Sequence, residues 1–513
     1  MSPTTLIISP APTANGDLHL GHIAGPFLAA DVHARYLRAT GRTALLATGT
    51  QDTSTYVVTT AHRLGTTPKE LVERSTQQVE ATLAAVGIGV DAFTRDEDGF
   101  TKTVLAFMED LYAAGKLELR TMQLPYSPAT GEFLVDGFVQ GFCPRCLARG
   151  CAGLCESCGS VVAAGDLLDP CSTLDPADPV ELHDCPVLVM PLEPFRERIS
   201  AHFAEHAARM RPHLAQAVEE MLSRPLPDYP VTFPISWGIP APFPEVAGQS
   251  INPNAEPAAW SIYCGALAAK GRGTVGTTDD ELWRPEAGTR VAYFLGFDNT
   301  YPFAIAAVAM LLATEGRYVV PTDFVTNEFY ELNNAKFSTS RGHVVWAGDL
   351  VTQLPRDLVR FHLAVTSPEN QRTNFSHEAL SHVTSSRLVD PWNRIARRMD
   401  QYVGCGPLPV SVRSHAAAQS IVARFVACYE LEYFSLTRAA QALTEQLARL
   451  ADWAVAPGDE GDFCHEVDVV LRCAAPILVD LAEKVLDESS LPAGAGPRTV
   501  TPVALPRLLD RIS

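Results

Sequence analysis

Residues 5–22 read TLIISPAPTANGDLHLGH, and the order of residue types in this stretch decides the fold. Thr5-Leu6-Ile7-Ile8 is a short apolar run of the kind that forms a buried strand. Pro10 and Pro12 break it, and Ala14-Asn15-Gly16-Asp17 supplies turn chemistry. From about Gly21 the spacing of Ile23, Phe27, Ala30, Ala34 and Leu37 is helical, with Gly41 as a stop. A second strand reads from Thr43 to Ala47. Strand, helix, strand at this spacing opens a parallel sheet, and such sheets carry ligands at the carboxyl ends of their strands.

Working outward, Val104, Phe107, Met108 and Leu111 share one face of a further helix. The texture then changes. Residues 121–190 are rich in Cys, Gly and Pro with little helical period, as in an inserted module. Sheet and connecting helix resume over 290–345, and from about 376 the pattern is mostly helical. The expected divisions are 1–120, 121–230, 231–375 and 376–513.

With 513 residues the chain has room for about three domains. Hydrophobic residues at 47% and charged ones at 19% favour packed cores over long disorder. Forty Lys and Arg against 59 Asp and Glu give a net charge of −19, which argues against a surface coated for non-specific nucleic-acid binding. One basic groove on an acidic body remains compatible with it. No run of about 18 uncharged apolar residues occurs, so no membrane span is expected. The first residues lack the basic start and long apolar run of a secretory signal, so a cytoplasmic location is expected. In that compartment the twelve cysteines serve as thiols or metal ligands, not disulfides.

Cys143-Pro-Arg-Cys146 and Cys155-Glu-Ser-Cys158 are two Cys-x-x-Cys turns with eight residues between them. Each places two thiolates on one side of a tight loop, and together they can close a tetrahedral Zn²⁺ site. Four thiolates leave no open coordination position, so this metal braces the fold and does not catalyse.

Two further segments read as phosphate-binding. His19-Leu20-Gly21-His22 sits where the first turn enters a helix, and a helix start offers free N–H groups and a positive dipole end. Two imidazoles there can donate to phosphate oxygens. Lys336-Phe337-Ser338-Thr339-Ser340-Arg341-Gly342 is a polar loop whose Lys, hydroxyls and Arg suit closure over a triphosphate.

Together these segments resemble the two signatures of class I aminoacyl-tRNA synthetases, and the chain is similar to the methionyl-tRNA synthetase family in particular. ANGDLHLGH, TGTQDTS (48–54), the double knuckle, YFLGFD (293–298), KFSTSRG (336–342) and RDLVRFHLAVTSPENQRTNFSHEAL (356–380) follow that family's order. The resemblance implies an α/β fold: a Rossmann-type doubly wound parallel sheet with an inserted zinc-knuckle module and a C-terminal α-helical bundle. It implies Mg²⁺-bound ATP and a structural Zn²⁺. The implied chemistry joins a carboxylate to ATP as an aminoacyl-adenylate and then moves the acyl group to a hydroxyl. By the same resemblance His19, His22 and Lys336 are the catalytic residues. Gly21, Asp298, Ser338 and Arg341 bind ATP, and Ala11, Thr13, Gln51, Asp52, Trp260, Tyr263 and Phe303 shape the amino-acid pocket.

The chain departs from the family in clusters. Thr339 replaces the second lysine of the loop, and Gln51 replaces the acidic residue expected to hold the substrate ammonium, with Asp52 beside it. Thr13, Tyr263 and Phe303 alter the pocket walls, and Asp390, Arg394 and Asp452-Trp453 stand where anticodon-reading residues are expected. An Asp facing RNA repels phosphate. These departures point to a paralogue that activates another amino acid and esterifies a small N-hydroxylated amine, with a separate cupin-type partner in hydrazine-type metabolism. The alternatives are an authentic methionine–tRNA ligase, or an inactive nucleotide- or RNA-binding remnant.

Overall fold

The computed structural model describes residues 3–95, 97–271, 280–337, 343–486, 491 and 498–509. Five parallel strands form the central sheet: β1 (Thr5–Ile8), β2 (Ala44–Gly49), β3 (Ala92–Thr94), β4 (Arg290–Gly296) and β5 (Asp323–Asn327). Their spatial order is β5-β4-β1-β2-β3, so the winding reverses between β1 and β4. A crevice opens at the carboxyl ends of strands where such a reversal occurs.

Alternation along the strands feeds two cores. Leu6, Ile8, Leu45, Ala47, Val291, Tyr293 and Leu295 join one apolar cluster, while Ile7, Leu46, Ala292 and Phe294 join the other. Both faces are therefore covered, which is why the strands read as continuous apolar runs. The second cluster runs on into the C-terminal helices Val412–Tyr429, Leu436–Asp452 and Glu460–Ala474 through Phe425, Leu443 and Val470.

The helix expected from Gly21 to Leu37 is built in three pieces: a turn at Leu20–His22, a wider turn at Ile23–Phe27 and the regular helix Leu28–Ala39. Pro26 has no N–H to give, and the Leu28 N–H reaches back five residues to the Ile23 carbonyl. The wide turn keeps the chain coiling past a residue that would break a regular helix.

The segment between β3 and β4 leaves the sheet. Glu118–Ser127 and Glu181–Met190 pair antiparallel along most of their length, and the cysteine-bearing ribbons extend from them. At the other end, residues 498–509 fold back over the helix Asp390–Met399: Trp392 Nε1 donates to the Pro506 carbonyl at 2.8 Å and Asn393 Nδ2 to that of Leu508 at 3.1 Å. Among the described residues no helix is long and apolar enough to cross a membrane.

Asp31 and Arg360 form an ion pair at 2.6 Å with both side chains fully buried. Arg360 also donates to the carbonyls of Ile477 (2.9 Å), Pro476 (2.7 Å), Val86 (3.3 Å) and Gly87 (3.2 Å). Asp31 accepts from the Gly89 amide at 2.8 Å and from Arg35 at 2.9 Å. Burial alone would raise the Asp31 carboxyl, but Arg360, Arg35 and the Gly89 amide hold it below its ordinary value. Asp31→Asn or Arg360→Met leaves the remaining partner buried without its counter-charge, so each should destabilise the fold by about 3–5 kcal/mol in urea titration. A loss under 1 kcal/mol would show that the pair is dispensable.

Burial also pushes the His33 and His362 imidazoles down to about 4. Their ordinary value lies near 6.5, so the unfolded chain binds protons that the folded chain refuses as pH falls from there towards 4. Melting temperature should therefore drop between pH 7 and pH 5; an unchanged midpoint would mean that these rings take up protons without opening the core.

Candidate active site

The turn after β1 orders the two imidazoles through the backbone. His19 caps the short helix, its Nδ1 accepting from the Gly21 N–H at 3.1 Å. The His19 N–H donates in turn to His22 Nδ1 at 3.2 Å. A ring nitrogen that accepts carries no proton, so each imidazole bears its proton on Nε2. The rings stack with centroids 3.9 Å apart. A Cβ at Gly21 would lie 2.9 Å from the His19 ring, so only glycine fits beneath it.

Phe337 lies nearly parallel to His19, centroid to centroid 4.8 Å. It follows the two-residue strand Ala335–Lys336, which pairs antiparallel with Tyr330–Leu332. On the far side of the same loop the Leu20 N–H donates to the Val345 carbonyl at 3.1 Å and the Ala347 N–H to that of Leu18 at 3.0 Å. Residues on both flanks of the KFSTSRG segment are thus fastened to the HLGH turn. The Lys336 side chain and residues Ser338, Thr339 and Arg341 lie outside the described residues.

Asp298 stands on the turn Phe297–Asn299 that follows β4, across the reversal point from the imidazoles. Its Oδ1 accepts from Asn299 Nδ2 at 3.2 Å. A Cβ at Gly296 would approach that oxygen to 2.6 Å, so the turn needs glycine there.

Two cavities open beside the Phe297–Asn299 turn, and neither His19 nor His22 is among their lining residues. The smaller, about 50 Å³, is lined by Ala11, Gln51, Glu256, Trp260 and Phe303, with Thr50, Phe100, Pro253, Asn254, Pro257, Asn299 and Pro302 completing the wall. Trp260 is fixed by donation from Nε1 to Thr94 Oγ1 at 2.7 Å and meets Phe303 edge-on at 6.2 Å. The larger, about 440 Å³, lies towards the inserted domain and takes in Thr13 and Asp298. Gln51, Asn254, Asn299 and Pro302 belong to both walls. Five carboxylates line the larger chamber, from Asp136, Glu156, Asp166, Asp228 and Asp298, with no Lys or Arg among its described lining. Burial drives the Asp136 carboxyl up, against hydrogen bonds from Thr55, Asn254 and the Gly137 amide.

Of the residues expected in the pocket, Ala11, Gln51, Trp260 and Phe303 share the small cavity and Thr13 the large one. Tyr263 and Asp52 line neither. Tyr263 points its hydroxyl at Glu97 Oε1, 2.5 Å away. Asp52 is 6% exposed, and its carbonyl accepts from Trp237 Nε1 at 3.1 Å. Glu256 was not among the expected residues. It lies four positions before Trp260, one helical turn, and nothing in that spacing marks it in the sequence.

In the inserted domain the Cys143, Cys146, Cys155 and Cys158 sulfurs all lie within 4.8 Å of one another. Cys143 Sγ is 3.8 Å from Cys158 Sγ, and Cys146 Sγ is 3.6 Å from Cys155 Sγ. Tetrahedral zinc with Zn–S bonds of about 2.3 Å needs sulfur–sulfur edges of about 3.8 Å, so the four thiols fit that ion. Zinc held there ties together ribbons that have only a small core of their own. Metal analysis should find one zinc per chain, lost together with thermal stability in Cys146→Ser; a metal-free chain with an unchanged melting point would refute the site.

A family model described as tRNA synthetases class I (M) matches residues 5–400. A methionine–tRNA ligase of Chlorobium limicola is 30% identical over 407 residues, covering 77% of this chain and 57% of that protein. That of Chlorobaculum tepidum is 28% identical over 470 residues, covering 87% and 65%. The chain thus spans less than two thirds of these relatives' length. Among solved structures, Mycobacterium tuberculosis methionyl-tRNA synthetase in complex with methionyl-adenylate aligns with a TM-score of 0.76 at 18% identity, over 100% of this chain and 99% of that one. At that identity the likeness shows the fold.

Proposed function

We propose, because the chain belongs to the class I (M) tRNA synthetase family, that it joins an amino acid to ATP as an aminoacyl-adenylate and passes the acyl group to a hydroxyl acceptor. Methionine and tRNA are the substrates that the relatives' names supply. The single observation that carries the reading is the stacking of Phe337 on His19, which sets the lysine-bearing segment against the imidazole turn.

In the first step a carboxylate oxygen of the amino acid bonds to the α-phosphorus, the bond to the β-phosphate oxygen breaks, and pyrophosphate leaves with Mg²⁺. The Nε2–H groups of His19 and His22 donate to phosphate oxygens as negative charge shifts during the transfer. Because their tautomer is fixed before the reaction, they act as oriented dipoles. Asp298 takes the ribose hydroxyls, and Lys336 and Arg341 offset charge on the leaving group. The small cavity holds the amino acid between Trp260 and Phe303. In the second step the acceptor hydroxyl attacks the carbonyl carbon, AMP departs, and the hydroxyl proton goes to AMP or solvent.

A second reading of the acceptor has two observations in its favour. The five carboxylates of the larger chamber repel a nucleic-acid backbone and attract a cation, such as a small N-hydroxylated amine that carries a second, ordinary ammonium group. The exposed pair of Arg394 with Asp452, 2.6 Å, and the exposed Asp390 point the same way in the helical bundle. The curated relatives lend this acceptor, and a cupin-type partner, no support.

ATP–pyrophosphate exchange across the twenty amino acids tests the first step. Exchange with methionine is expected, falling about 100-fold or more in His22→Ala. Silence on every amino acid would leave only an inactive remnant. Transfer of the acyl group to tRNA, set against transfer to N-hydroxylated amines, decides the acceptor.

A further inference from the structure

A free amino acid differs from other carboxylic acids in its α-ammonium, and a site that selects it needs an anion near the carboxylate-reactive end. The sequence expectation was Gln51 or Asp52. Gln51 is neutral, and its amide donates to the Pro253 carbonyl at 3.0 Å. Asp52 does not line the cavity.

The cavity nevertheless has an acid. Among the described residues that line it, Glu256 is the one charged side chain; the other eleven are neutral. Glu256 is 3% exposed, and its Oε2 accepts from Thr53 Oγ1 at 2.8 Å, which fixes where the carboxylate points. The side chain sits one turn before Trp260 at the entry to the helix Pro257–Gly271, and the Trp260 N–H donates to the Glu256 carbonyl at 2.8 Å. The acid and the aromatic wall are thus held by the same helix start. A charge placed this way, in a small enclosure of neutral walls, acts on a cation with little solvent screening.

We propose that Glu256 receives the α-ammonium of the substrate amino acid, so that the anion has moved from the loop after β2 to the opposite wall of the pocket. Glu256 is therefore a specificity residue for amino acids over plain carboxylic acids, and Thr53 positions it. This inference rests on the adenylating function proposed above.

The test uses ATP–pyrophosphate exchange with the full chain. The amino acid that the wild type activates best is compared with its deamino carboxylic acid, in the wild type, Glu256→Gln and Glu256→Asp. Glu256→Gln keeps the shape and the acceptor for Thr53 but removes the charge. KM for the amino acid should rise roughly 10- to 100-fold, KM for ATP should stay within about twofold, and the preference over the deamino acid should collapse by a similar factor. Glu256→Asp, which keeps the charge, should raise KM less and keep the preference; this variant carries the test if Glu256→Gln does not fold. An active wild type whose preference survives Glu256→Gln, or is lost in Glu256→Asp, overturns the assignment to Glu256 alone. A wild type silent on every amino acid overturns the adenylating function itself.

Discussion

One buried guanidinium holds the architecture together. Arg360 lies where the helix after the HLGH turn, the loop that leads to β3, its own helix and the end of the bundle converge, and it bonds to the other three. Placing a charge where water cannot reach is costly, and that cost is offset only while Asp31 and four carbonyls keep their positions. The arrangement is consequently intolerant of sliding: a shift of either layer strands an ion. Helices distant in sequence are thereby registered against the first helix of the sheet, whose start carries the imidazoles. Arg211 does similar work on the far side, donating to the carbonyls of Thr326 at 2.7 Å and Phe434 at 3.4 Å from within the inserted domain.

The site follows from that registration. The reversal of strand order puts the loops after β1 and β4 on either side of one crevice, and these loops carry His19 and Asp298. Phe337 packs its aromatic ring on the His19 imidazole.

Much of this was legible in the chain. HLGH could be read because its residues are consecutive and the turn chemistry ahead of them is local, and the knuckle because four cysteines at fixed spacing have one economical use. The parallel sheet followed from strand, turn and helix signals. Pro26 misled the reading of the first helix: apolar periodicity registers a helical face but not a change of pitch along it. The pocket was only partly legible. Tyr263 shares a helix with Trp260, but three positions along it is turned to Glu97, and a direction of that sort depends on partners far away in sequence. Glu256 escaped notice for the opposite reason, since a lone acid ahead of an apolar helix reads as ordinary solvated charge until the fold shows it walled in.

The two chambers have a party wall. Gln51, Asn254, Asn299 and Pro302 line both the small cavity and the large. Under the proposed function, a mixed anhydride made in the small cavity would find its acceptor's chamber across these shared residues. Hydrolysis, the usual fate of such a species once released, would then compete with a transfer between adjoining chambers.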